Sequence, residues 1–114
     1  MNTHNGAIDA VVHNYVSAAK DYGKALENGN HLKANEAHEL IGIAFNELRA
    51  LRYEEALLLL LVDKNRAVRY SAAVNLLDAF PYEAESALEE VVNGPPSPIR
   101  LMAQISLGEW RKQK

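Results

Sequence analysis

In this 114-residue chain the side chains with the most chemical reach are carboxylates, histidines and a few arginines and tyrosines. Carboxylates cluster at Glu54 and Glu55 and again at Glu83, Glu85, Glu89 and Glu90. Two such groups converging in a cleft can serve as general acid and general base. Their placement favours a plainer role. Glu54, Glu55 and Glu83 open helical segments, where the dipole favours anions, and Glu89 and Glu90 lie off the apolar stripe that runs from Ala84 to Val92. The histidines are His4, His13, His31 and His38, of which only His31 and His38 share a helical face. At i, i+7 they stand about 10 Å apart, too far to hold one metal ion. The pair His38-Glu39 has Gly42 where a zinc-protease helix needs its second histidine. Cysteine is absent, so disulfides, thiolate zinc sites and cysteine nucleophiles are all excluded. No phosphate-binding loop, dinucleotide fingerprint or nucleophile elbow occurs. We therefore expect no catalytic residue, no bound metal and no cofactor.

The remaining polar and bulky residues suggest recognition. Asn35 sits near the start of a patterned helix, where its side chain can bond backbone of the first turn or join His38 and Glu39 in a polar patch. Arg69, Tyr70, Arg100, Leu101 and Gln104 fall on two later helices, off their apolar stripes. Arginine beside tyrosine is the composition of an interface hot spot. Tyr70 and Leu101 occupy equivalent positions, and either anchor a partner or pack against an adjacent helix or the C-terminal tail. Arg69 and Arg100 carry a structural and a recognition reading side by side.

These residues are positioned by a repeat. Leu57 to Phe80 returns 31 residues later as Leu88 to Arg111. In that register Leu57 meets Leu88, Leu60 and Leu61 meet Val91 and Val92, Val68 meets Ile99, and Arg69 meets Arg100. Ala72 likewise meets Ala103, Val74 meets Ile105, and Leu76 meets Leu107. A period in the low thirties with helical spacing is the mark of a two-helix repeat. Upstream, Ile8, Val11, Val12, Tyr15, Ala19, Tyr22 and Leu26 form one amphipathic stripe, and Ala37, Leu40, Ile41, Ala44, Leu48 and Leu51 form another. Asn28-Gly29 separates them, so the pair reads as a hairpin, a diverged first unit that caps the stack. A third helix over Tyr53 to Val62 is apolar nearly all round from Ala56 onward and is expected to be the most buried element. Asp63-Lys64-Asn65 supplies caps for a fourth helix near Arg66, Pro81 starts a fifth, and Ser97-Pro98 starts a sixth. The expectation is one all-α domain over residues 1–114, six helices in three hairpins, with units at about 7–52, 53–80 and 81–112.

Asp63, Val68, Arg69, Ala72 and Leu76, echoed at Ile99, Arg100, Ala103 and Leu107, resemble HEAT-type repeats. The whole chain is similar to a small bacterial family of HEAT-like proteins catalogued as a domain of unknown function, number two thousand and nineteen. The matching features are Ala34-Asn35, Glu47-Leu48-Arg49, the leucine-rich helix into Asp63, Ala67-Val68-Arg69 and Leu107-Gly108-Glu109-Trp110-Arg111. The resemblance implies a short right-handed α-solenoid and structural polar contacts between helices for Asp63, Arg69 and Arg100. Gly94 departs from the pattern at the position equivalent to Asp63.

Net charge is -3, with 12 basic and 15 acidic side chains, which argues against nonspecific binding to phosphate backbones. The polar start Met1 to Gly6 and an apolar run limited to Ala56 to Val62 show neither export signal nor membrane span. The leading expectation is a non-enzymatic, cytoplasmic protein-interaction module, a monomer or homodimer with an unknown protein partner, specialised as an inhibitor or immunity-like protein. The rival is a nucleic-acid-binding protein of the HEAT-like DNA glycosylase type, which would need a cationic concave face.

Overall fold

The computed structural model describes residues 3–113 and shows an all-α, repeat-like fold. Its elements are α1 (Thr3–Glu27), α2 (His31–Ala50), a 3₁₀ helix (Glu54–Val62), α3 (Arg66–Leu76), α4 (Pro81–Val92) and α5 (Pro98–Lys112). The first two residues of the polar start Met1 to Gly6 lie outside the described residues, as does the side chain of His4.

Local chemistry accounts for the boundaries. Helix α1 ends in a Schellman motif: Gly29 takes φ 68, its amide donates to the Leu26 carbonyl, and the Asn30 amide donates to Ala25. Asn30 then caps α2 by accepting from the Lys33 amide. Capping of α2 thus falls to Asn30, while Asn35 lies exposed inside the helix. Helix α2 ends in the same motif with Arg52 at φ 57, a left-handed residue that is not glycine. Its amide donates to Arg49 and the Tyr53 amide to Leu48. The Asn65 side chain accepts from the amides of Ala67 and Val68, Pro81 opens α4, and the Ser97 hydroxyl accepts from the Arg100 amide at the start of α5.

Burial follows the echo along most of its length. Leu57 and Leu88, Val68 and Ile99, Ala72 and Ala103, and Leu76 and Leu107 are all buried. Two expectations fail. Leu40, assigned to the apolar stripe of α2, is exposed; Ala37, Ile41, Ala44 and Leu48 make the buried face. The leucine-rich segment is not buried all round either, because it winds as a 3₁₀ helix rather than an α-helix. With three residues per turn, side chains three apart eclipse one another in straight rows. Leu57 and Leu60 form the inward row, while Leu59 and Val62 stand outside at 81% and 79% exposure.

The hairpins are α1 with α2, the 3₁₀ helix with α3, and α4 with α5. The first is turned over relative to the other two. Helix α1 packs on α3 and α5, the second helices of their hairpins, whereas α2 meets the 3₁₀ helix. Helix α1 runs antiparallel to α3, with Tyr15 beside Asn75 at one end and Gly23 against Ala67 at the other.

Candidate functional site

Because α1 lies on α3 and α5, the second-helix face expected to greet a partner is closed at Tyr70. Tyr70 is buried rather than outward-facing: its ring stacks on Tyr22 of α1, with centroids 6.4 Å apart and planes 11° apart, and its hydroxyl shares a 3.1 Å hydrogen bond with Ser106 of α5. His38 meets the other side of Tyr22 at 5.9 Å. The result is a ladder of His38, Tyr22, Tyr70 and Ser106 that ties α2, α1, α3 and α5 together. Of the residues proposed for recognition, Tyr70 is therefore an internal rung, while His38 rests on the ladder from the exposed side of α2. Tyr70 and Leu101 do not form an exposed pair, since Leu101 is 57% exposed and Tyr70 only 8%. The echo sets equivalent helical positions, but α1 covers one of them.

The other candidates separate. Asn35 lies exposed on α2, away from Arg100, Leu101 and Gln104, which gather with Ser97 around a shallow hollow of about 210 Å³ at the start of α5. The Nε of Arg69 is buried and has no hydrogen-bond partner among the described residues. The ladder of interhelical Asp and Arg contacts implied by the resemblance takes another form. Asp63 accepts from the Asn65 amide two residues on, and the contact between hairpins comes from Arg66, whose Nη1 donates to the Pro95 carbonyl. Arg66, Arg69 and Arg100 consequently do not line one open cationic face.

The carboxylates divide by helical face. Glu85 and Glu89, four apart on α4, look toward α5: Glu85 accepts from the indole nitrogen of Trp110 at 3.1 Å and from Arg111, and Glu89 accepts from Arg111 at 2.7 Å. This pins the end of α5 to α4. Glu83 and Glu90 look the other way, toward the 3₁₀ helix. Among the described residues no three His, Asp or Glu side chains gather as a metal-binding group, and no helix is long and apolar enough to cross a membrane.

A cavity of about 400 Å³ opens where the end of α1 meets the starts of α3 and α5, with Lys20, Lys24 and Arg66 on its walls. Three of the first-turn helix amides there are already used. Asn65 accepts those of Ala67 and Val68, and Ser97 accepts that of Arg100. A more open groove of about 460 Å³ lies between the 3₁₀ helix and α4. Its walls include Leu58, Leu61, Val62, Tyr82 and Ala87, of which Leu58, Leu61 and Val62 belong to the segment expected to be the most buried. No signal in the leucine run could have found it, because five consecutive leucines fit periods of 3.0 and 3.6 alike.

Burial pushes the hydroxyls of Tyr15, Tyr22 and Tyr70 above the ordinary tyrosine range; the Asn75 amide donating to Tyr15 at 2.7 Å and the Ser106 bond to Tyr70 oppose this only in part. The sign of the pH effect follows. Below about pH 10 all three are protonated in both states and stability is at its full value. As pH rises past that point the unfolded chain releases protons that the folded chain retains, and stability falls. We expect the tyrosinate absorbance of these three to appear only together with loss of helical circular dichroism. Ionisation of every tyrosine near pH 10 with helicity intact would contradict the ladder.

Comparison with family models, characterised proteins and solved structures found no match to this chain.

Proposed function

We propose that this chain is a non-enzymatic protein-interaction module of the bacterial cytoplasm, which masks a partner in the manner of an inhibitor or immunity protein. The observation that carries the reading is the outward display of large apolar side chains beside a well-closed core. Val62 and Tyr82 are 79% and 86% exposed in the lining of the groove between the 3₁₀ helix and α4, and Leu59, 81% exposed, stands one 3₁₀ turn before Val62. Exposed apolar side chains are ordinary when scattered singly; gathered along one groove they mark a contact surface. The resemblance to HEAT-type repeats agrees, since such folds present extended rigid surfaces to partners. The arrangement of the polar groups supports the same reading. The histidines are dispersed, and the carboxylates with close partners, Glu85 and Glu89, hold α5 in place.

Selection from a random peptide library displayed on phage tests this. The expected outcome is enrichment of a family of sequences that compete with one another for the protein and are lost when Val62 and Tyr82 are both changed to serine. Selection that ends at background for the folded protein contradicts the reading.

A further inference from the structure

We propose that the groove between the 3₁₀ helix and α4 receives a basic amphipathic helix of a partner protein, an assignment that rests on the interaction-module reading. The floor is apolar, formed by Leu58, Leu61, Val62 and Ala87. The α4 rim is acidic. Glu83, Ala87 and Glu90 fall at i, i+4 and i+7 on α4, so the two carboxylates stand about 10 Å apart along the groove with the small Ala87 between them. The lining contains no basic side chain, and neither Glu83 nor Glu90 has an ion-pair partner among the described residues; Arg111 is engaged by Glu85 and Glu89 on another face. Two unpaired anions flanking an apolar floor complement a ligand with an apolar stripe and lysine or arginine on both sides of it.

The shape of that ligand follows from the fold. The described residues contain no strand, so there is no sheet edge to pair with an extended backbone. A helix satisfies its own backbone groups and lays apolar residues at i, i+3, i+4 and i+7 into such a groove. A second copy of this chain fits less well. In a two-fold dimer each groove faces its own image, which sets Glu83 and Glu90 of one copy against those of the other. Of the exposed apolar sites, this one combines walls from two elements with a largely apolar lining. Leu101 and Ile105 stand on α5 alone, and Leu40 lines a hollow between α1 and α2 whose walls carry Asp21, Lys24, Lys33 and Glu36.

The test uses the full chain and two fluorescent helical peptides of about 14 residues, four turns. One is built of leucine and lysine with leucines at helical spacing; the other has glutamate for every lysine. Fluorescence anisotropy at low salt should show the lysine peptide binding at least about tenfold more tightly than the glutamate peptide. The double variant Glu83→Lys, Glu90→Lys should invert that preference, Val62→Ser should weaken binding of the lysine peptide, and Leu101→Ser should leave it unchanged. All four sites are exposed, and thermal melts will show that the variants fold. Equal binding of both peptides, a preference that survives the charge reversal, or sensitivity to Leu101→Ser in place of Val62→Ser overturns the assignment. So does a concentration-dependent dimer that the groove variants dissociate, with no peptide bound. If the peptides fail while the phage selection still enriches binders, the groove assignment falls alone. If both fail, the interaction-module reading falls with it.

Discussion

Ala72→Glu is expected to abolish cooperative folding, and Ala103→Glu to do nearly as much. Both alanines are fully buried, at equivalent positions 31 residues apart on α3 and α5. Each lies on a helix with packed neighbours on several sides: α3 meets α1, the 3₁₀ helix, α4 and α5, and α5 meets α1, α3 and α4. A glutamate there adds four heavy atoms beyond Cβ to a site with room for one methyl group. Overpacking of this kind typically costs about 1–3 kcal/mol. It also buries a carboxylate without a partner, so the chain must either hold the group protonated or open to hydrate it. The combined loss, several kcal/mol, is on the order of the whole stability of a domain this size. Ala72→Ser and Ala103→Ser, nearly isosteric, should melt cooperatively at lower temperature. Thermal unfolding followed by circular dichroism decides the matter. A glutamate variant at either position that melts cooperatively within a few degrees of the parent would show that α3 and α5 do not pack as described.

The second large effect reverses the usual sign for glycine. In a helix interior, alanine is favoured over glycine by about 1 kcal/mol. Gly23, however, lies where α1 crosses α3, and a Cβ added there would stand 2.5 Å from the Cβ of Ala67. Both atoms are short stubs on helical backbone, so relief requires the helices to move apart. Gly23→Ala should therefore destabilise by about 1–3 kcal/mol, and Gly23→Leu by more. Gly42 and Gly108 are the controls. They lie inside α2 and α5, a Cβ at either meets nothing within 4 Å, and alanine there should raise stability by up to about 1 kcal/mol. Urea melts of the three alanine variants provide the comparison. Gly23→Ala matching Gly108→Ala would mean that α1 does not approach α3 so closely.

These sites show what could be read from the chain and what could not. Short-range chemistry was legible. Asn28-Gly29, Asn65, Pro81 and Ser97-Pro98 mark helix ends because each acts on backbone groups within a few residues. The buried set of the two later hairpins was legible too, through the 31-residue echo. The placement of α1 was not, because its stripe shows which face is buried and says nothing of what covers it. A hint exists in Ala18 and Ala25 with Gly23, where small residues on one side of the helix permit close approach to a neighbour. That placement turned Tyr70 from an expected anchor into a rung of the interior ladder. The run Leu57 to Leu61 was equally mute about its winding, since five consecutive leucines satisfy periods of 3.0 and 3.6 alike. Only the three-dimensional winding shows that Leu59 and Val62 point outward and that Leu58, Leu61 and Val62 line the apolar groove.

Helix α1 covers Tyr70 but leaves Leu101 and Gln104 of α5 exposed, and the proposed contact surface is a different one, the groove between the 3₁₀ helix and α4. Amide chemical-shift mapping on the isotope-labelled protein tests it most directly, using the tightest peptide from the phage selection as ligand. The account predicts that the resonances that move belong to residues 58–62 and 82–90, with Tyr22, Tyr70 and Ser106 unmoved. Shifts centred instead on Arg100, Leu101 and Gln104 would contradict it, because the exposed start of α5 would then be the contact surface, and shifts at Tyr70 would mean that α1 yields its place to a partner.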